Sequence, residues 1–214
     1  MIGKPMLPLA VSLTPDELLT RTRSVRRRLD LARPVPLPLV EECLRIAQQA
    51  PCGSGRSVPH WIIVTDPRTR AALGEIYRSA FHEQWSAVTT GGLSGAQKRS
   101  LASAAHLADT LGEVPVLVLA CLNTGGPLPG GSQASLWGTV MPAVWSYMLA
   151  ARTRGLGTTW TAAHLRQEQR VADLLGIPPG VHQAALIPTA YHHGPDFRPA
   201  LRPPLEATVH RDRW

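Results

Sequence analysis

Apolar positions along the chain follow two rhythms, one of helical spacing and one of unbroken runs. Leu39, Cys43, Ile46 and Ala47 fall on one face at helical spacing and predict an amphipathic helix over residues 39–50. The run Trp61-Ile62-Ile63-Val64, closed by Thr65-Asp66-Pro67, predicts a short strand, and Asp66 is placed to cap a helix over residues 68–83. A further helix is expected over residues 96–111. The run VPVLVLACL, residues 114–122, is apolar on both faces and predicts a central strand. A long apolar helix then covers residues 134–154, with Gly155 placed to end it. Residues 157–163 predict a strand, 166–175 a short helix stopped by Gly176 and two prolines, and 182–191 the last strong strand. At the other end, Thr14-Pro15-Asp16-Glu17 sets an N-cap, a proline at the first helical position and acids in the first turn. That first helix carries Leu18 and Leu19 and ends near Thr22.

Helices come first and strands and helices then mix, which is the order of an α+β fold. There is no internal repeat and no break in composition. The 214 residues therefore read as one domain, 1–214, with residues 1–13 a flexible N-terminus and the proline-rich segment 192–214 an extended tail without a core of its own. A hydrophobic content of 44% suffices for a core, and 17% charged residues is too low for wide disorder. Three cysteines without a CxxC pair exclude a disulfide scaffold and a zinc ribbon. Residues 134–151 approach the length of a membrane span, but Ser135, Thr139, Pro142 and Ser146 interrupt them and Arg152 and Arg154 follow at once. They are expected to be a helix buried all round in a core or an interface, not a membrane span. The N-terminus lacks the sustained apolar run of a signal peptide.

Net charge is +7, and nearly all the basic residues are arginine, with Lys4 and Lys98 the exceptions. The densest group is Thr22-Arg23-Ser24-Val25-Arg26-Arg27-Arg28. Guanidinium groups beside a hydroxyl suit a phosphate dianion. The same run also reads as a solvated patch at a helix C-terminus, or as a nucleic-acid contact. Nucleic acid is disfavoured by context, since no helix-turn-helix, zinc finger or stacking platform accompanies the run. Several chemistries have no motif here: no GxGxxG, no GxxxxGK[ST] and no GxSxG. His192 and His193 are adjacent in an extended segment and point to opposite faces, so no metal site is expected. Cys52 lies in a loop, while Cys43 and Cys121 read as core. The connections 89–95 and 123–131 are candidate pocket walls, and Trp85 and Trp137 are placed either to flank a flat substrate or to fill a core.

Four segments, read in order, resemble the nitroreductase family of FMN-dependent oxidoreductases. They are Arg23-Ser24-Val25-Arg26 with Pro34-Val35-Pro36; Ala50-Pro51-Cys52-Gly53-Ser54-Gly55 leading through His60 into the strand; the long helix ending Gly155-Leu156-Gly157-Thr158-Thr159-Trp160; and Ala185-Leu186-Ile187-Pro188 with Arg202-Pro203-Pro204-Leu205 and the tail to Trp214. The resemblance implies a three-layer fold with a central, mostly antiparallel sheet. It also implies a homodimer whose C-terminal tail packs on the partner, with FMN at the interface. Arg23, Ser24, Arg26 and the late Arg202 then grip the FMN phosphate. Pro51, Cys52, Gly53, Ser54 and Gly55 pack on the flavin from the other subunit, and Trp160, Thr161, Ala162 and Ala163 pass its reactive edge.

The chain departs from the family where Thr22 replaces an arginine, a loss that Arg27 or Arg28 is placed to offset. It departs again where Gly55-Arg56-Ser57 replaces an Asn-x-Gln. The activity implied is a cytoplasmic oxidoreductase that moves hydride or electrons from NAD(P)H to a nitroaromatic, quinone-like or other conjugated acceptor by a ping-pong route. Flavin N5 carries the hydride, so no catalytic side chain is assigned. The alternatives are a flavin oxidase or dehydrogenase acting on a biosynthetic intermediate, and a flavin-poor binding protein on the same fold.

Overall fold

The computed structural model describes residues 11–53, 58–85, 92–194 and 196–214. Its helices are α1 (Pro15–Arg21), α2 (Leu37–Ala47), α3 (Pro67–Trp85), α4 (Gly95–Thr110), α5 (Ala134–Thr153) and α6 (Glu168–Leu175). Its strands are β1 (His60–Val64), β2 (Val116–Asn123), β3 (Leu156–Thr158) and β4 (Val181–Tyr191). The strands form one sheet in the order β1-β2-β4-β3, and every pairing between them is antiparallel.

Side-chain alternation along β2 divides the core. Val116, Val118, Ala120 and Leu122 face α2 and α5, packing with Val40, Cys43, Val144, Tyr147 and Ala151. Leu117, Leu119 and Cys121 face α3, α4 and α6, packing with Leu73, Ile76, Phe81, Leu107 and Val171. Helices thus cover both faces of a central sheet, the three-layer α+β arrangement expected. Burial on both faces explains why β2 reads as an unbroken apolar run.

Local chemistry fixes the helix ends. Thr14 and Glu17 form a reciprocal capping box at α1, and Ser94 and Gln97 form another at α4. Asp66 accepts the backbone N–H and the hydroxyl of Thr69 at 2.8 Å each, so α3 starts where its sequence cap predicts. Gly155 follows α5 with a φ of +74°, a conformation that a side chain would strain. α5 is a core helix, with Val140, Val144, Tyr147 and Ala151 fully buried. Among the described residues no helix is long and apolar enough to cross a membrane. A buried ion pair, Glu42 with Arg154, ties α2 to the end of α5.

Several element ends differ from expectation by one to a few residues, two of them for a plain local reason. α2 starts at Leu37, because Pro38 sits in the first turn, where its missing N–H costs nothing. The strand expected over residues 157–163 is only three residues long, Leu156–Thr158. Thr161 then makes a lone bridge to Leu186, and the chain turns at Ala162 into a 3-10 segment, Ala163–Gln167.

Candidate functional site

The arginine-rich segment is laid beside the sheet edge. Ser24 bridges Thr158 of β3 in parallel, and the Val25 N–H donates to the Thr158 carbonyl at 2.9 Å. Leu29 bridges His192 at the end of β4, and the Asp30 N–H donates to the Tyr191 carbonyl at 2.8 Å. Residues 24–30 therefore run beside β3 and the end of β4, from Thr158 toward Tyr191 and His192, and β3 itself continues into the stretch Trp160–Ala163.

Arg23 is half-buried and Ser24 exposed, so both remain accessible. Arg26 is half-buried, and its Nη1 donates to Ser103 Oγ on α4 at 3.3 Å. Among the described residues no carboxylate pairs with Arg23 or Arg26. Burial lowers the Arg26 pKa, and Tyr77 faces it from α3. Two unneutralised guanidinium groups and a free hydroxyl are the donor set a phosphate dianion requires.

Two neighbouring positions, Thr22 and Arg28, are engaged elsewhere, while Arg27 is exposed. Thr22 is buried, and its hydroxyl donates to the Leu18 carbonyl at 2.6 Å, closing α1. Arg28, one of the two residues placed to make good the missing arginine, is committed elsewhere. Its Nε donates to the His193 carbonyl at 2.6 Å, and its guanidinium lies 4.4 Å from the Phe197 ring centre. Arg152 approaches the same ring at 5.0 Å and pairs with Asp196, so the start of the tail is pinned to the body.

Thr161 is locked. Its N–H and Oγ1 both donate to the Leu186 carbonyl, at 3.0 and 3.1 Å, and its own carbonyl accepts from Leu186 N–H at 3.0 Å. The Tyr77 hydroxyl faces the Thr161 side chain, and burial raises its pKa. The Thr161 side chain is thus spent on positioning. Elsewhere in this stretch Ala162 is exposed and Ala163 and Trp160 are half-buried, and the small alanine side chains leave the backbone open.

The loop Pro51–Gly53 sits against the start of α5. A Cβ on Gly53 would meet Thr139 Oγ1 at 3.3 Å and the Ser135 carbonyl at 3.5 Å. Cys52 is half-buried and carries a free thiol. Ser54 and Gly55 lie outside the described residues, as do Arg56 and Ser57. Arg202 is exposed, and neither a hydrogen bond nor an ion pair joins it to Arg23, Ser24 or Arg26 among the described residues. The tail beyond it also stands in solvent, with Leu201 and Trp214 essentially fully exposed. Within one chain Arg23, Ser24 and Arg26 thus lie on a segment paired to β3, which leads into Trp160–Ala163, and the Pro51–Gly53 loop lies against α5.

Two residues at this edge escape sequence reading. Tyr77 reads as one more apolar position of α3, and its only signal is a hydroxyl that a buried tyrosine must satisfy. His164 follows the Ala162 turn, is wholly buried, and has neither ring nitrogen partnered among the described residues. Burial pushes its pKa down to about 4. No group of histidines, cysteines and acids capable of holding a metal occurs among the described residues.

The family model described as the Nitroreductase family matches residues 19–191. Solved structures share the fold at low identity. Iodotyrosine deiodinase, in an oxidized form bound to FMN and 3-iodo-L-tyrosine, is 19% identical with a TM-score of 0.70, over 93% of this chain and 99% of that one. A BluB-like flavoprotein from Clostridium difficile is 13% identical with a TM-score of 0.69, over 94% and 100% of the two chains. Nitroreductase A from Vibrio parahaemolyticus is 17% identical with a TM-score of 0.67, over 93% of this chain and 75% of that one. Comparison with curated proteins finds no match.

Proposed function

The chain belongs to the nitroreductase family, and from that premise we propose that it is an FMN-dependent oxidoreductase that passes reducing equivalents from NAD(P)H to a conjugated acceptor. The observation that carries the reading is the pairing of Val25 with Thr158. It ties the arginine-rich segment to β3, the strand that leads into Trp160–Ala163, and this supports a phosphate-binding end and a ring-binding end built around one strand.

Bound FMN supplies a ring that accepts hydride from NAD(P)H and returns it to an acceptor. Arg23 and Ser24 hold the phosphate through charge-assisted bonds, and Arg26 stands between that end and α4. The backbone at Ala162 and Ala163 orients the ring edge, kept in place by the bonds between Thr161 and Leu186. The second subunit of a homodimer completes the site with Arg202 and with the loop from Pro51 to Gly55. Among the described residues no hydrogen bond or ion pair joins Arg202 to Arg23, Ser24 or Arg26 within one chain, which supports that division. Donor and acceptor use one place in turn, which gives ping-pong kinetics. With a nitroarene, hydride from NAD(P)H and one solvent proton convert the nitro group to nitroso and release water. Three free thiols and the supply of NAD(P)H fit a reducing cytoplasm.

The test is the visible absorption spectrum of the purified protein, with the released ligand identified after denaturation. About one FMN per chain, bleached by NAD(P)H under anaerobic conditions, is the expected result. A colourless protein that takes up no added FMN overturns the reading.

A further inference from the structure

We infer that the cavity shared by α6, the start of β4 and the start of α5 binds a primary amine carried on an aliphatic chain, in its ammonium form. None of the residues lining it is among those assigned to FMN, so the inference stands apart from the functional reading above. The cavity has two lobes. A polar lobe of about 720 Å³ lies between α6 and residues 177–183, and an apolar lobe of about 220 Å³ lies beside the first turns of α5. Glu168, His182 and Gln183 line both lobes and mark their junction. Leu128, Trp137, Met141 and Ala184 wall the apolar lobe, where Glu168 is the one carboxylate and no lysine or arginine is present. Trp137 Nε1 donates to Gln133 Oε1 at 2.9 Å, so the indole offers the lobe its apolar body with its polar tip already satisfied.

The head group follows from the junction, which presents acceptors without donors. Glu168 is half-buried, and its Oε1 accepts the Gln183 N–H at 2.9 Å. Among the described residues no cation pairs with that carboxylate. Gln183 is 2% exposed; its Nε2 donates to the Glu168 carbonyl at 2.8 Å, and its Oε1 is buried with no partner among the described residues. A carbonyl only accepts, so His182 Nε2, 2.9 Å from the Gly126 carbonyl, carries the ring proton and Nδ1 of the neutral ring is an acceptor. A buried acceptor without a donor keeps its desolvation cost until a donor arrives. An ammonium group brings three N–H donors and the charge that Glu168 lacks opposite it. Arg166, the one lysine or arginine lining either lobe, is exposed and reaches Glu83 on α3 at 3.6 Å. An anion meets Glu168 at the junction and Asp173 in the polar lobe, which selects against it. With its head at the junction, the ligand places its hydrocarbon chain in the apolar lobe.

Calorimetric titration of the FMN-loaded protein with hexylammonium, 1-hexanol and hexanoate tests the inference, since none of the three accepts hydride. Hexylammonium should bind about tenfold or more tighter than hexanol, with hexanoate weakest. Glu168→Gln keeps an oxygen to accept the Gln183 N–H but removes the charge. It should weaken hexylammonium about tenfold and leave hexanol unchanged. Glu168→Lys should reverse the order of the two ions, a change that simple loss of folding does not produce. Visible absorbance of the same samples should show FMN content constant throughout the titration. Equal affinities for the three probes, hexylammonium binding that survives Glu168→Gln, or release of FMN by hexylammonium would overturn the inference. Failure of the parent chain to take up FMN is a different result; it defeats the functional reading and leaves the order of the three probes unchanged.

Discussion

The backbone N–H of Val25 and the carbonyl of Thr158 lie 2.9 Å apart, and this bond joins the arginine-rich segment, proposed to hold the phosphate, to the strand that leads into Trp160–Ala163, proposed to meet the ring. Gly157 lies between the two, and a Cβ there would meet Val25 Cβ and Cγ1 at 3.0 Å and His192 Cβ at 3.2 Å. Gly157→Val should push the arginine segment off the sheet edge. Overpacking of this kind costs about 1–3 kcal/mol. Thermal melting should show that loss, and equilibrium dialysis should show weakened FMN binding; an unchanged FMN affinity would detach the Val25–Thr158 pairing from the cofactor site.

Much of the architecture was legible because it depends on local pattern. β2 announced its central place by being apolar on both faces, and the caps at Thr14 and Asp66 fixed two helix starts. The strand expected over residues 157–163 was misjudged in extent. Its apolar and β-branched residues suit a strand, but the residue before the turn, Thr161, is held by tertiary bonds to Leu186, which no local window contains. The site was legible as residue types and not as a constellation. Arg28 looks equivalent to Arg26 in sequence, and only the fold shows one spent on the tail and the other facing a pocket. Arg202 sits in a tail without periodicity, so nothing local says which surface it serves.

Arg23 and Arg202 should act on one FMN from two subunits. Either change to alanine alone removes a charge-assisted bond, worth about 1.5–3 kcal/mol, and should weaken FMN binding about tenfold to a hundredfold. Mixed dimers formed from an Arg23→Ala chain and an Arg202→Ala chain should regain one intact site. Titration with FMN would then find about half a tight site per chain. If both residues serve the same subunit's site, mixing restores nothing.

Tyr77→Phe removes the hydroxyl that faces Thr161 and little else, since the ring remains packed in the core. The loss of one such polar contact is worth about 1 kcal/mol. Melting should register this modest change. Because Thr161 keeps its three bonds to Leu186, FMN binding should fall less than in Gly157→Val, as measured by the same dialysis.

Cysteine chemistry should single out one position. Burial pushes the thiols of Cys43 and Cys121 up to about 12, so at neutral pH they are protonated and enclosed. Cys52 is half-buried in the Pro51–Gly53 loop. Iodoacetamide should modify Cys52 alone in the native protein, as peptide mass mapping would show. If that loop covers the flavin, saturating FMN should slow the reaction; equal rates with and without FMN would remove the loop from the site.

His164 should give the fold an acid-sensitive step. Its imidazole is wholly buried without a partner among the described residues, and burial lowers its pKa from 6.5 to about 4. A group held neutral in the folded state loses nothing above its unfolded pKa. As pH falls below 6.5, the unfolded chain takes up a proton that the folded chain refuses, and stability declines until the folded pKa near 4 is passed. The shift corresponds to a loss on the order of 3 kcal/mol. His192, whose pKa is also lowered by burial and then by Arg152 and Arg28, adds to the same limb. Urea unfolding at pH 7.5 and pH 4.5 should therefore show a markedly lower midpoint in acid for the parent. His164→Leu, which fits an apolar surrounding and cannot titrate, should remove most of that difference. A variant whose midpoint still falls as steeply would place the acid sensitivity elsewhere, in His192 or in the carboxylates.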